Sequence, residues 1–155
     1  MKRLVLIPLV AFLAGMPAQA DVASRSADGL GTRINGSRGG RCSSGLCHID
    51  GGAHSGANRF HRLSEFDTRG AIQGVSIDSD GVRNVVLGVT AADGSFINKS
   101  VSLSSPAHLF LLSPGGIQLM PGASFQQIPQ LTLSTAAQLL SLIHISEPTR
   151  RWSIA

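Results

Sequence analysis

Val101-Ser102-Leu103-Ser104-Ser105-Pro106-Ala107-His108-Leu109-Phe110-Leu111-Leu112-Ser113-Pro114-Gly115-Gly116-Ile117-Gln118-Leu119-Met120-Pro121-Gly122 decides the fold. Val101-Ser102-Leu103 alternates with the period of a half-buried strand. Ser104-Ser105-Pro106 and Ser113 to Gly116 are turn clusters, and Leu109 to Leu112 between them is too short for a helix. Ile117 to Met120 starts a third stretch that Pro121-Gly122 ends. Short strands joined by tight corners are the only regular structure that this spacing permits.

The same texture extends upstream and downstream. Ala71 to Ile77, Val82 to Val89, Phe96 to Leu103 and Leu131 to Leu133 are strand-length apolar stretches. Asp78-Ser79-Asp80-Gly81 and Ala91-Ala92-Asp93-Gly94 punctuate them, and Asp78 and Asp80 read as turn residues that bond their own backbone. The chain is therefore expected to be all-β. Charged residues are 14% and aromatic residues 5% of the 155, with 18 glycines, which suits thin stacked coils better than a sandwich. Residues 21–57 are rich in Gly, Ser and Arg and show little apolar period. They read as an arm of turns packing onto the strand region, which starts at Asn58 and runs to residue 139.

Residues 1–20 are set apart. Met1-Lys2-Arg3, the apolar run Leu4 to Leu13, and Ala18-Gln19-Ala20 form the three parts of an export signal, with cleavage expected between Ala20 and Asp21. The run falls short of the roughly 20 apolar residues of a transmembrane span. Export through the Sec machinery and the periplasm, to the cell surface or medium, is the expected route. In that setting Cys42 and Cys47 read as a disulfide across a short loop; a zinc site with His48, His54 or His61 lacks the usual ligand spacing.

The sequence pI near 10 does not mark a nucleic-acid binder. Within residues 21–139, nine Arg and Lys face eight Asp and Glu, leaving +1, and the rest of the basic excess lies at the two ends. The cluster Arg33 to Arg41 is interleaved with Gly and Ser rather than aromatics. No Ser, His or Asp sits in a nucleophile elbow or similar context. The chain is read as no enzyme, with no cofactor and no metal. Asn35-Gly36-Ser37 and Asn98-Lys99-Ser100 match a glycosylation sequon and read as chance.

Two segments carry a resemblance. Asn58-Arg59-Phe60-His61 followed by Ser64-Glu65-Phe66, and Ser113-Pro114-Gly115-Gly116-Ile117 followed by Pro121 to Phe125, resemble the signatures of the filamentous haemagglutinin-like secretion domain of two-partner exoproteins. The resemblance covers about residues 34 to 139. It implies a right-handed parallel β-helix with an N-terminal capping arm, incomplete at its C-terminal end. It also implies a partner, an outer-membrane β-barrel transporter with periplasmic binding domains, and a large adhesin- or toxin-like passenger. The motif residues either contact the transporter or only stabilise the fold. Phe60 and Phe66 are expected to fill the first coil, and His61 to bond a neighbouring turn. Pro114 fixes a corner dihedral, Gly115 and Gly116 supply positive φ, and Ile117 re-enters the core. The family usually has asparagines where Ser113 and Gly115 stand, so an asparagine ladder is in doubt at that slot.

Leu140-Ser141-Leu142-Ile143-His144-Ile145-Ser146-Glu147-Pro148-Thr149-Arg150 is similar to the translation of a transposase-based sequencing adapter. This places the end of the natural frame near Leu139 and makes residues 140–155 an artefact; the rival reading is an amphipathic helix from Ala136 to Ser146. Two other functions compete with secretion targeting: a secreted β-helical enzyme acting on polysaccharide, and a stand-alone adhesive module.

Overall fold

The structure is a computed structural model that describes residues 19–27, 29–139 and 152–153. The apolar run of the export signal lies outside these residues, as does the adapter-like segment Leu140 to Arg150.

The chain forms a β-solenoid of about four coils, with three parallel sheets around one core. Before the first coil come four short strands: β1 (Val22–Ala23), β2 (Thr32–Ile34), β3 (Ser37–Arg38) and β4 (Arg41–Cys42). The first coil consists of β5 (Ser44–Gly51), β7 (Asn58–Leu63) and β8 (Glu65–Asp67), with β6 (Ala53–Ser55) turning back between the first two. The second is β9 (Ala71–Ile77), β10 (Asn84–Val89) and β11 (Ser95–Ile97). The third is β12 (Ser100–Leu103), β13 (His108–Leu112) and β14 (Ile117–Leu119), and β15 (Ser124–Gln126) and β16 (Leu131–Ser134) begin the fourth. Further on, β17 (Gln138–Leu139) pairs antiparallel with β18 (Trp152–Ser153).

Strands one coil apart stack in parallel. Sheet one is β5-β9-β12-β15, sheet two β7-β10-β13-β16 and sheet three β8-β11-β14. Period-two alternation sends one residue in two inward, so the core is built of columns. Cys47, Val75, Val101 and Phe125 form one, and Ile49, Ile77 and Leu103 another. Leu63 stacks on Val89, and Leu87 on Leu111. Each fully buried aliphatic side chain stabilises by about 1.5–3 kcal/mol. The outward neighbours are small and polar, as with Ser76 and Ser102.

Two of the three corners are fastened by side chains reaching the next coil. Ser79 Oγ donates to Ser105 O (2.7 Å), and Ser79 and Ser105 N–H groups donate to Ser104 Oγ and Ser79 Oγ (2.9 Å each). Where the same corner enters sheet two, Asn84 Nδ2 donates to Asn58 Oδ1 (2.7 Å). Asn98 N donates to Thr68 Oγ1 (2.9 Å), and Thr68 Oγ1 to Asn98 Oδ1 (3.2 Å), between sheets three and one. Asp78 Oδ1 accepts from Asp80 N (3.1 Å), the local turn bond expected of that pair.

The segment 21–57 differs from the arm of turns read from its composition: six strands lie in it. Each sheet's first parallel strand has an antiparallel strand on its outer edge. β1 lies on β8, β2 on β5, and β6 on β7. β4 and β3 then extend two of these edges. Strands of two or three residues are too short to display alternation. β5 is longer, yet a bulge at Gly45/Leu46 and the exposed Leu46 obscure its period. The first coil thus begins at Ser44, ahead of Asn58. Cys42 and Cys47 are joined in a disulfide that ties β4 to β5, with both sulfurs' residues buried. A loop of this size stabilises by about 2 kcal/mol in the chain-entropy description.

The described residues supply no such cap at the other end. Among the described residues no strand covers the outer edges of β14, β15 and β16. Leu119 and Leu133 are 48% and 38% exposed there, whereas Leu87 and Leu111 below are buried. Amide protection is therefore expected to fall from the capped end to the other. Hydrogen exchange followed by mass spectrometry checks this: peptides covering β15 and β16 exchange before those covering β5 and β7. Uniform protection would contradict the asymmetry.

Candidate functional site

The two motifs lie far apart in sequence but at one corner of the coil. Asn58 to Phe66 runs through β7, turns at Ser64 and continues into β8; Ser113 to Ile117 turns from β13 into β14. Both make the passage from sheet two to sheet three, two coils apart, and Thr90 to Gly94 of the middle coil fills the space between. Thr90 N donates to Leu63 O (2.9 Å) and Ser95 N to Gly116 O (2.9 Å), so the three turns form one ridge.

The upper half of this ridge is a backbone-to-backbone contact. A Cβ on Gly115 would lie 2.5 and 2.6 Å from the carbonyl oxygens of Ala91 and Ala92. A Cβ on Gly94 would lie 2.4 Å from Gly116 O. Gly116 has positive φ (115°), but Gly115 does not, which corrects the reading that both glycines supply it. Gly115 is required instead by closeness to the coil below. Pro114 is exposed, Gly116 N closes the turn on Ser113 O (2.9 Å), and Ile117 packs partly buried against the core. The family's asparagine has no room at Gly115. Ser113 is buried and its hydroxyl accepts from Ser95 Oγ (2.9 Å), a hydroxyl pair in place of an amide ladder at that slot. The amide pair of this structure is Asn58–Asn84, at the start of sheet two.

Within the first motif the alternation of β7 places Arg59, His61 and Leu63 inward. Phe66 enters the main core. Phe60 does not: it stacks with Val86, Phe110 and Leu112 on the outer side of sheet two, where Leu30 packs against the cluster. The expectation of Phe60 inside the first coil fails because its parity on the strand is outward. Ser64 lies half-buried at the corner, its N–H donating to Ala23 O (2.8 Å).

His61 also departs from expectation. It occupies the rung of Leu87, is 1% exposed, and neither ring nitrogen has a hydrogen-bond partner. Its ring packs on Gly52, where a Cβ would lie 2.9 Å from Cε1 and Nδ1. It points into an apolar column rather than toward a turn. Burial, reinforced by the nearby Arg59 guanidinium, pushes it down to about 4. Arg59 is a corner lock. Its guanidinium pairs with Asp78 Oδ2 (2.6 Å) and donates to Asp78 O (3.0 Å) and His54 Nε2 (2.9 Å). Burial alone would raise the Asp78 carboxyl, but the Asp80 N–H and Arg59 outweigh it and hold it below its ordinary value.

Two grooves flank the ridge. One of about 450 Å³ runs along Ser64, Glu65, Asp67, Arg69, Asp93 and Phe96, with the Arg69 guanidinium 4.0 Å above the Phe96 ring. The other, about 320 Å³ and mostly apolar, lies between Val89, Ala91, Pro114 and Ala137. Among the described residues, no three His, Cys, Asp or Glu side chains are grouped so as to hold a metal ion. The arrangement is a ridge of three stacked turns with a shallow groove on either side.

No family model, curated protein or solved structure matches the chain. The resemblance therefore rests on the two sequence motifs alone. Asp21, the expected first residue after cleavage, is 1% exposed and paired with Arg41. Ala20 precedes it close to Gly70.

Two substitutions test this geometry. The folded His61 binds its proton less readily than the unfolded one, so the unfolded chain gains protons between about pH 6.5 and 4. Stability is expected to fall by about 3 kcal/mol as pH drops through that window; below it His61 adds no further loss, while protonation of the Asp78 carboxylate, held below its ordinary value, does. His61→Leu, matching Leu87 and Leu111 on the same rung, is expected to flatten that slope in urea titrations at several pH values. Gly115→Asn is expected to lose about 1–3 kcal/mol, because the obstruction is backbone that cannot rotate away. An unchanged denaturant midpoint in that variant would show that the corner yields.

Proposed function

We propose that this chain is the secretion-targeting and fold-initiating N-terminal domain of a large two-partner exoprotein of adhesin or toxin type. The observation that carries the reading is the difference between the two ends. All three sheets are closed by antiparallel strands at the start, whereas among the described residues no strand pairs beyond β14, β15 and β16. A cap beneath the first coil suits a starter, because in a solenoid each coil can serve as the template for the next.

In this reading residues 1–20 direct export and are removed, and periplasmic domains of an outer-membrane β-barrel transporter bind the unfolded chain. The first coils then form outside the cell. We place recognition on the segments Asn58 to Phe66 and Ser113 to Ile117, which come together in the ridge only after folding. That order favours reading them as linear motifs during transit and as a corner support afterwards. Fold alone assigns no activity; the motifs and the one-sided cap support the proposal jointly.

The test joins the full chain to a reporter and expresses it with and without the barrel encoded beside the native gene. The reporter is expected in the medium only when the barrel is present, and deletion of Asn58 to Phe66 is expected to hold it in the periplasm. A reporter that stays periplasmic beside an intact barrel would overturn the reading.

A further inference from the structure

The buried carboxylate of Asp21 lies where the fold begins. Its carbonyl oxygen accepts from Asp67 N (2.9 Å), and Val22 beside it pairs with Cys42 on one side and Phe66 on the other. Oδ2 accepts from Arg41 Nη1, whose guanidinium also reaches Glu65 Oε1 (Nη2, 3.4 Å). Oδ1 is fully buried with no hydrogen-bond partner. Two carboxylates thus share one guanidinium, and the cluster is one positive charge short. A buried carboxylate oxygen without a partner is costly, since nothing replaces its hydration.

The missing charge is available from the chain itself. Where Asp21 is the first residue, its α-nitrogen is an ammonium, and bond lengths keep it within about 5 Å of its own carboxylate. Where residues 1–20 are attached, the same nitrogen is a neutral amide. Ala20 then lies against Gly70, and Gln19 lines the groove beside Glu65 and Asp67. Every described strand lies between Val22 and Ser153, so removing residues 1–20 takes away none of them.

We infer that cleavage between Ala20 and Asp21 completes the cap: the new α-ammonium pairs with Asp21 Oδ1 and balances the Asp21–Arg41–Glu65 cluster. The peptide bond is hydrolysed by water, which leaves the ammonium on Asp21 and a carboxylate on Ala20. The uncleaved chain folds less stably than the cleaved one, which keeps the precursor open for export and fixes the cap once the signal is gone. This inference rests on the export-signal reading of residues 1–20.

Three forms of the chain, each ending at Ala155, test it: the full chain, one released from a ubiquitin-like fusion at Ala20, and one released at Asp21. In the Ala20 form the ammonium is moved about 3.8 Å along the backbone. The Asp21 form is expected to exceed the Ala20 form in folded-to-unfolded ratio by about tenfold or more in urea. With Asp21→Asn in both, that gain is expected to vanish. As a second measurement, the α-amine of the Asp21 form is expected to titrate above its ordinary value of about 8. The charged groups around it are Arg41, Glu65 and its own carboxylate, with Arg25, Asp67 and Arg69 lining the adjoining groove. An equal gain with and without the Asp21 carboxylate, no gain, or an ordinary α-amine would overturn the inference. The mass of the exported product decides the export reading separately: a product that does not begin at Asp21 defeats that reading but leaves the stability comparison standing.

Discussion

An unpaired sheet edge is the constraint on which the whole molecule depends. A coil of a β-solenoid has three strands, and each must share its backbone hydrogen bonds with a strand above and one below. The coil in the middle satisfies this automatically. The first coil has nothing beneath it, and residues 21–55 supply what is missing: β1 under β8, β2 under β5 and β6 under β7. Antiparallel pairing makes this possible, because a short segment can double back under each edge without a full coil. The disulfide Cys42–Cys47 joins β4 of this cap to β5, the first strand of the stack.

The same constraint accounts for the polar groups inside. Corners turn the backbone away from the sheets, so their N–H and C=O groups need other partners. Ser79, Ser104 and Ser105 at one corner and Thr68 with Asn98 at another provide them with hydroxyl and amide side chains. The ridge corner works differently: Gly94, Gly115 and Gly116 let the backbones themselves come together. His61 puts a titratable ring on an aliphatic rung without hydrogen-bond partners, on the first coil, where the column has Gly52 rather than another coil against it.

Much of the stack was legible in the sequence and little of the cap was. Ala71 to Ile77 became β9 residue for residue, and Asp78 to Gly81, Ser104 to Pro106 and Ser113 to Gly116 are turns. These segments announce themselves because an inward aliphatic and an outward serine alternate over four residues or more. Phe96 to Leu103 read as one stretch and is two strands, since the corner at Asn98-Lys99 carries no Gly or Pro. The cap strands are too short to show a period. Parity decided the rest. Phe60 looks like core by composition, but its neighbours Arg59 and His61 hold the inward positions. That the two motifs share a corner was not legible, because coil lengths differ: Asn58 stacks on Asn84, whereas Leu109 stacks on Leu131. Without a fixed repeat, distance along the chain does not translate into height in the stack.

The small disulfide loop has a consequence for the order of events. Cys42 and Cys47 are five residues apart, so their encounter needs no other part of the chain to be in place. Loops of this length close on a timescale of tens of nanoseconds, whereas forming the bond itself takes seconds or longer. The pairing is therefore local in the chain, and its rate is set by the oxidant rather than by the search of one thiol for the other. Once formed, the bond holds β4 beside the start of β5 whatever the order in which the coils pair.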